Sequence, residues 1–155
     1  MRALIGKLLG HLRWADEQTF AALAQQKGAP SVAHERFMHV IAAEHVWLCR
    51  VRGDPSRSAV WPQFTVDGCQ RLMAQNHREF EALLAGDDAS LQRSVGYATS
   101  DGRTFTNSIA DILTHVAMHG SWHRGQIAML MRQGGGNPVA SDYIAWIRGA
   151  LAART

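Results

Sequence analysis

Residues 115–126 read HVAMHGSWHRGQ, which places His115, His119 and His123 four residues apart. On a helix this spacing brings side chains onto one face, and two imidazoles at i and i+4 stand at a separation suited to chelating one transition-metal ion. Two imidazoles alone bind weakly, so a third ligand must come from elsewhere in the chain. Each helical residue turns by roughly 100°, so with His119 taken as the origin the apolar residues Ile109, Ile112, Leu113, Val116, Ile127, Leu130 and Met131 centre near 70°. His123, at about 40°, lies inside that stripe, His119 sits on its edge, and His115, at about −40°, is turned to the flank. His119 and His123 are therefore expected to point inward. The glutamate of an HExxH metalloprotease is absent, since Gly120 stands in its place, and a protease mechanism with a built-in base has no support.

A third ligand is sought among the other histidines. In the row Phe37, Met38, Ile41, His45 and Leu48, spaced at three and four, His45 is the one polar member. An unpaired imidazole on an apolar face is costly, which makes His45 either a satisfied core residue or a ligand. Joined to the His119–His123 pair it completes a three-histidine set on two helices. His11, His34, His39 and His77 have mixed neighbours and are expected at surface or boundary positions, and His115 is expected in a structural role.

The elements that must position these groups are helices marked by apolar recurrence at three and four residues. The first spans about 3–26 with Leu4, Leu8, Leu12, Phe20 and Leu23, and stops at Lys27-Gly28-Ala29-Pro30. The second runs from Ser31, a plausible N-cap, to Gly53-Asp54-Pro55. A third covers roughly 65–85. In LQRSVGYATSDGRTFTN, alternation on both sides of Asp101-Gly102 predicts a short β-hairpin. The fourth long helix, about 107–133, ends in Gly134-Gly135-Gly136-Asn137-Pro138, and a short helix over 141–152 is expected to dock Trp146 on the bundle. These elements spell an all-α four-helix bundle forming a single domain over 1–155, and such bundles build metal sites from facing helices.

Composition narrows the function classes. Hydrophobic residues make up 46% and charged residues 19%, in the range of compact globular chains. The net charge of +3 comes from scattered residues, with only Lys7 and Lys27 as lysines, so neither a nucleic-acid patch nor a polybasic membrane anchor is visible. No apolar run approaches the roughly 20 residues of a membrane span, and the amino terminus reads as the first helix of a cytoplasmic protein. Cys49 and Cys69, in no CxxC spacing, are expected to be reduced.

At LLGHLRWADEQTFAAL, HVIAAEHVWLCRVRGD, HVAMHGSWHRGQIAMLMRQGG and SDYIAWIR the chain resembles the DinB (YfiT-like) family over nearly its whole length. The resemblance implies a divalent metal, most often nickel or zinc, with iron, cobalt and manganese as other occupants, held by one histidine of the second helix and two of the later one. Carried over position by position these are His45, His119 and His123. It also implies a homodimer and, from the relatives known as enzymes, activation of a low-molecular-weight thiol for transfer to a small electrophile. One departure is Met118, where family members often carry an asparagine. Arg124 and Gln126 are expected to support the ligands or to pack helices, since ligating histidines need a partner for the second ring nitrogen; Gly125 is expected to allow close helix approach. A metal-dependent hydrolase is the second reading, with Asp16 and Glu17 as the nearest carboxylates, both expected on a solvated face. A non-enzymatic metal-binding stress-response module is the third.

Overall fold

The computed structural model describes residues 1–26, 31–55, 62, 65–99 and 101–152. The Lys27–Pro30 helix stop and Trp61 fall outside them. Among the described residues the chain forms α1 (Arg2–Ala24), α2 (Val32–Arg52), α3 (Val66–Leu84), α4 (Asp88–Gln92), β1 (Ser94–Ala98), β2 (Thr104–Ser108), α5 (Ile109–Gln133) and α6 (Tyr143–Ala152). The short α4 was not expected; it takes Leu91 and Gln92 out of the predicted hairpin segment.

Helix ends are set where the residue types direct. Ser31 opens α2 with His34 at the third position accepting its backbone N–H at 3.1 Å, an imidazole standing where a capping box usually has a carboxylate or amide. Thr65 accepts from Gly68 N–H at 3.1 Å, and Ser108 from Asp111 N–H at 3.1 Å. Gly53 closes α2 in the left-handed region, φ 77°, which a residue with a Cβ resists. The hairpin pairs Ser94 with Ser108 through Ala98 with Thr104, as the alternation required.

The four long helices form a square: α5 packs on α2 and α1, and α3 packs on the same two from the other side. Two apolar layers fill it. One holds Ile5, Leu9, Leu12, Leu48, Phe80, Ile112 and Leu113 near the hairpin; the other holds Leu23, Phe37, Ile41, Met73, Ile127 and Met131. Between them each of the four long helices contributes polar residues: Asp16 from α1, Glu44 from α2, Asn76 and His77 from α3, and Arg124 from α5, all buried. The first-helix stripe is rotated from the predicted one, with Ile5 and Leu9 inside and Leu4 exposed. That phase carries Asp16 into the core, so the expected solvated position for Asp16 is wrong, while Glu17 is exposed as expected. Trp146 does dock on α1, its ring 6.0 Å from that of His11 and close against Gly10.

Candidate metal centre

His119 and His123 face each other across one helical turn, Nε2 to Nε2 at 3.1 Å. The third imidazole gathered with them is His39 of α2: ligating atoms of His39, His119 and His123 all lie within 4.8 Å of one another. The ring centroids of His39 and His123 are 4.8 Å apart, and those of His39 and His119 are 5.5 Å apart. His39 is buried, which corrects its expected boundary position; His11 and His77 are buried too. His45 is not in this cluster. It lies six residues along α2, turned by about 240° from His39, and its Nδ1 meets Asn76 Oδ1 at 3.2 Å.

The donor chemistry fits a cation. Gln126 Oε1 accepts from His123 Nδ1 at 2.9 Å, which puts the ring proton on Nδ1 and leaves the Nε2 lone pair facing His119. Burial, then the neighbouring charges of His123, His39 and His115, pushes His119 down to about 4. Burial also lowers His123, against the opposing pull of Gln126. Three clustered imidazoles, one with its Nε2 lone pair turned inward and two pushed down by burial, are a donor set that suits a divalent ion. Gln126 thus partners the second ring nitrogen of His123. His115 is exposed and stacks edge-on against Trp47, with centroids 5.1 Å apart, the structural role assigned to it. A Cβ on Gly125 would meet nothing within 4 Å, so the close helix approach expected there does not occur. At Gly120 a Cβ would come within 2.8 Å of Arg124 Nη1, so glycine there leaves room for the guanidinium.

Arg124 anchors the polar layer beneath the histidines. Its Nη1 donates to Asp16 Oδ1 at 2.8 Å and its Nη2 to Ser121 Oγ at 3.3 Å. His77 Nε2 donates to Asp16 Oδ2 at 3.3 Å. Asp16, Glu44 and His77 also bring metal-capable atoms within 4.8 Å of one another, but the guanidinium already supplies the positive charge there. Arg124 is paired with Asp16, and among the described residues no ion pair reaches Glu44; burial followed by the charge of Asp16 raises its carboxyl well above the ordinary 4.5, with Arg124 opposing.

A stability prediction follows. With its folded-state value raised above the unfolded one, protonated Glu44 contributes stability that is complete below pH 4.5 and is lost as pH climbs towards the folded value. Glu44→Gln, which mimics the neutral acid, is expected to abolish that slope, at most about 1.4 kcal/mol per pH unit, and so to gain on the parent as pH rises from about 5 to about 9. Urea unfolding across that range reads it out; an equal loss at every pH would show that the neutral acid is not what the core holds.

The signal for His39 was present in the sequence but weak. At roughly 100° per residue His39 lies about 150° from the centre of Phe37, Met38 and Ile41, on the other side of α2 beside Ala43 and Val46, so it reads as a boundary position until the partner helix is placed.

The sequence model described as the DinB family matches residues 1–154. A crystal structure of a DinB-like protein from Bacillus cereus ATCC 10987 is similar in fold, with a TM-score of 0.55, 19% identity, and coverage of 87% of this chain and 91% of that one. No functionally curated protein matches the chain.

Proposed function

Since the chain belongs to the DinB family, we propose that it is a divalent-metal protein whose ligands are His39, His119 and His123, and that it acts as an enzyme on a small thiol and a small electrophile. The observation that carries this reading is the make-up of the cluster: three imidazoles and, among the described residues, no carboxylate within the group. A neutral donor set leaves the full charge of the ion available, and an ion of nickel or zinc there would supply Lewis acidity that favours the deprotonated form of a thiol at neutral pH. Three protein ligands also leave a coordination position open, unlike a sealed thiolate-rich structural site.

The chain's own residues have distinct tasks. His123 is oriented through Gln126, and Arg124, fixed by Asp16, holds α5 against α1 at the level of the site. Burial keeps His119 neutral far below pH 7. Among the described residues the hydrolytic reading has no free carboxylate beside the cluster to act as base, because Asp16 is engaged by Arg124 and His77, and Glu44 is fully buried with its carboxyl raised well above its ordinary value.

Cobalt substitution tests the proposal. Addition of 2-mercaptoethanol to the cobalt protein is expected to shift the visible d–d bands and to add a sulfur-to-metal charge-transfer band. A cobalt spectrum indifferent to the thiol would sink the thiol reading, and failure to take up cobalt would sink the metal reading itself.

A further inference from the structure

His45, set aside by the metal cluster, belongs to another constellation. Asn76 Nδ2 lies 2.9 Å from the Ile41 carbonyl, so the amide nitrogen must donate there and Oδ1 must face His45. His45 Nδ1, 3.2 Å from that oxygen, therefore carries the ring proton, and Nε2 is left as an acceptor. One turn on, Cys49 Sγ sits 3.5 Å from that Nε2. The thiol has one basic nitrogen to donate to, and the orientation of that nitrogen is fixed by a third residue on another helix. This is the arrangement of nucleophile, base and orienting amide by which cysteine nucleophiles are activated.

A cation completes it: Arg52 Nη2 donates to the same sulfur at 3.4 Å, itself held by Asp54 at 2.7 Å and by Glu79. The last turn of α2 sets the negative end of the helix dipole near the sulfur, and the groups in contact with it that favour a thiolate are His45 and Arg52. Cys69 offers a contrast within the same chain. Burial first, then Glu44 and Asp16, pushes its thiol up to about 12, and no histidine or arginine contact to it is seen among the described residues.

We propose that Cys49, His45 and Asn76 form a second reactive site, a nucleophilic thiol that alkylates on small uncharged carbon electrophiles. Cys49 is 3% exposed, which limits the reagent to small molecules, and the low polarity of a covered sulfur favours uncharged ones. In the step, the proton passes from Sγ to His45 Nε2 and the sulfur lone pair forms a bond to the electrophilic carbon. The carbon's bond to its leaving group breaks, the leaving group departs with that electron pair, and His45 returns its proton to solvent.

The test uses the whole chain and iodoacetamide, with iodide as the leaving group. Alkylation of each cysteine is read by peptide mass, and thiolate by its ultraviolet absorbance in the parent minus the Cys49→Ser variant. An ordinary thiol is only a few per cent ionised at pH 7, so Cys49 is expected to react about tenfold faster than a free cysteine peptide, and His45→Gln to lower its rate about tenfold. Arg52→Met is expected to lower the rate as well. A thiolate signal at pH 7 that disappears in both Cys49→Ser and His45→Gln confirms the ion pair independently of reagent access. The proposal is overturned if parent and His45→Gln alkylate at equal rates, or if no Cys49-dependent thiolate absorbance is seen at pH 7.

Discussion

Asp16→Ala is expected to lower the stability of the chain by about 3–5 kcal/mol, because it leaves a buried guanidinium without its carboxylate. Both side chains of the Asp16–Arg124 pair are almost wholly inaccessible, at 0% and 1% exposure, so water cannot replace the lost partner. Asp16 also accepts from His77, so one deletion orphans two donors on two helices. For a chain of this length the loss corresponds to a fall in melting temperature of roughly 6–20 °C. The pair does not have to be a net stabiliser for this to hold: desolvating both charges costs about as much as their attraction returns, and the double variant Asp16→Leu/Arg124→Met is expected to recover most of the single-variant loss. Thermal and urea unfolding of the three variants decide the matter. A single-variant loss below about 1 kcal/mol would mean that solvent or another group reaches Arg124.

His39→Ala and His119→Ala are each expected to weaken zinc or nickel binding by more than the ~10–100-fold that removing an outer partner costs, and Gln126→Ala is expected to fall within that range. His45→Gln is expected to leave the affinity unchanged, since His45 is committed to Asn76 and Cys49. The measurement is competition against a chromophoric chelator on chains purified without an affinity tag. His39 supplies a ligating atom within 4.8 Å of those of His119 and His123, and removing one of three neutral donors leaves a pair that binds weakly. Metal lost with His45→Gln and retained with His39→Ala would return the third ligand to His45. The change is expected to be confined to affinity, with little change in the unfolding of the metal-free chain for His119→Ala, because its imidazole is half-buried and neutral.

The family likeness and the helical architecture could be read from local pattern. Periodicity of three and four, Ser and Thr caps, the glycine run after Gln133 and the turn at Asp101-Gly102 act over a few residues and mark the elements with small errors at their ends. The His119–His123 pair was equally legible, since i and i+4 on one helix fix a separation without reference to the rest of the chain. The support from Gln126 was local in the same way, three residues from its histidine.

What the chain alone left open was every relation between helices. His39 and His45 lie about 120° apart around α2, a helix buried on most of its circumference, and nothing within α2 says which turns towards α5 and which towards α3. Only the seating of α2 between those two helices decides it, sending His39 to the histidine cluster with His119 and His123 and His45 to Asn76. Asp16 shows the same limit: a carboxylate next to Glu17 in a helix reads as solvated until Arg124, 108 residues later, is brought to 2.8 Å from it. Composition and spacing determined the element types and two of the three clustered imidazoles, and the motif stretches carried the family resemblance. The tertiary structure decided the third imidazole, the buried charge layer and the Cys49–His45–Asn76 alignment, because a side chain's role depends on which partner helix it meets, and that is settled by packing across the whole bundle.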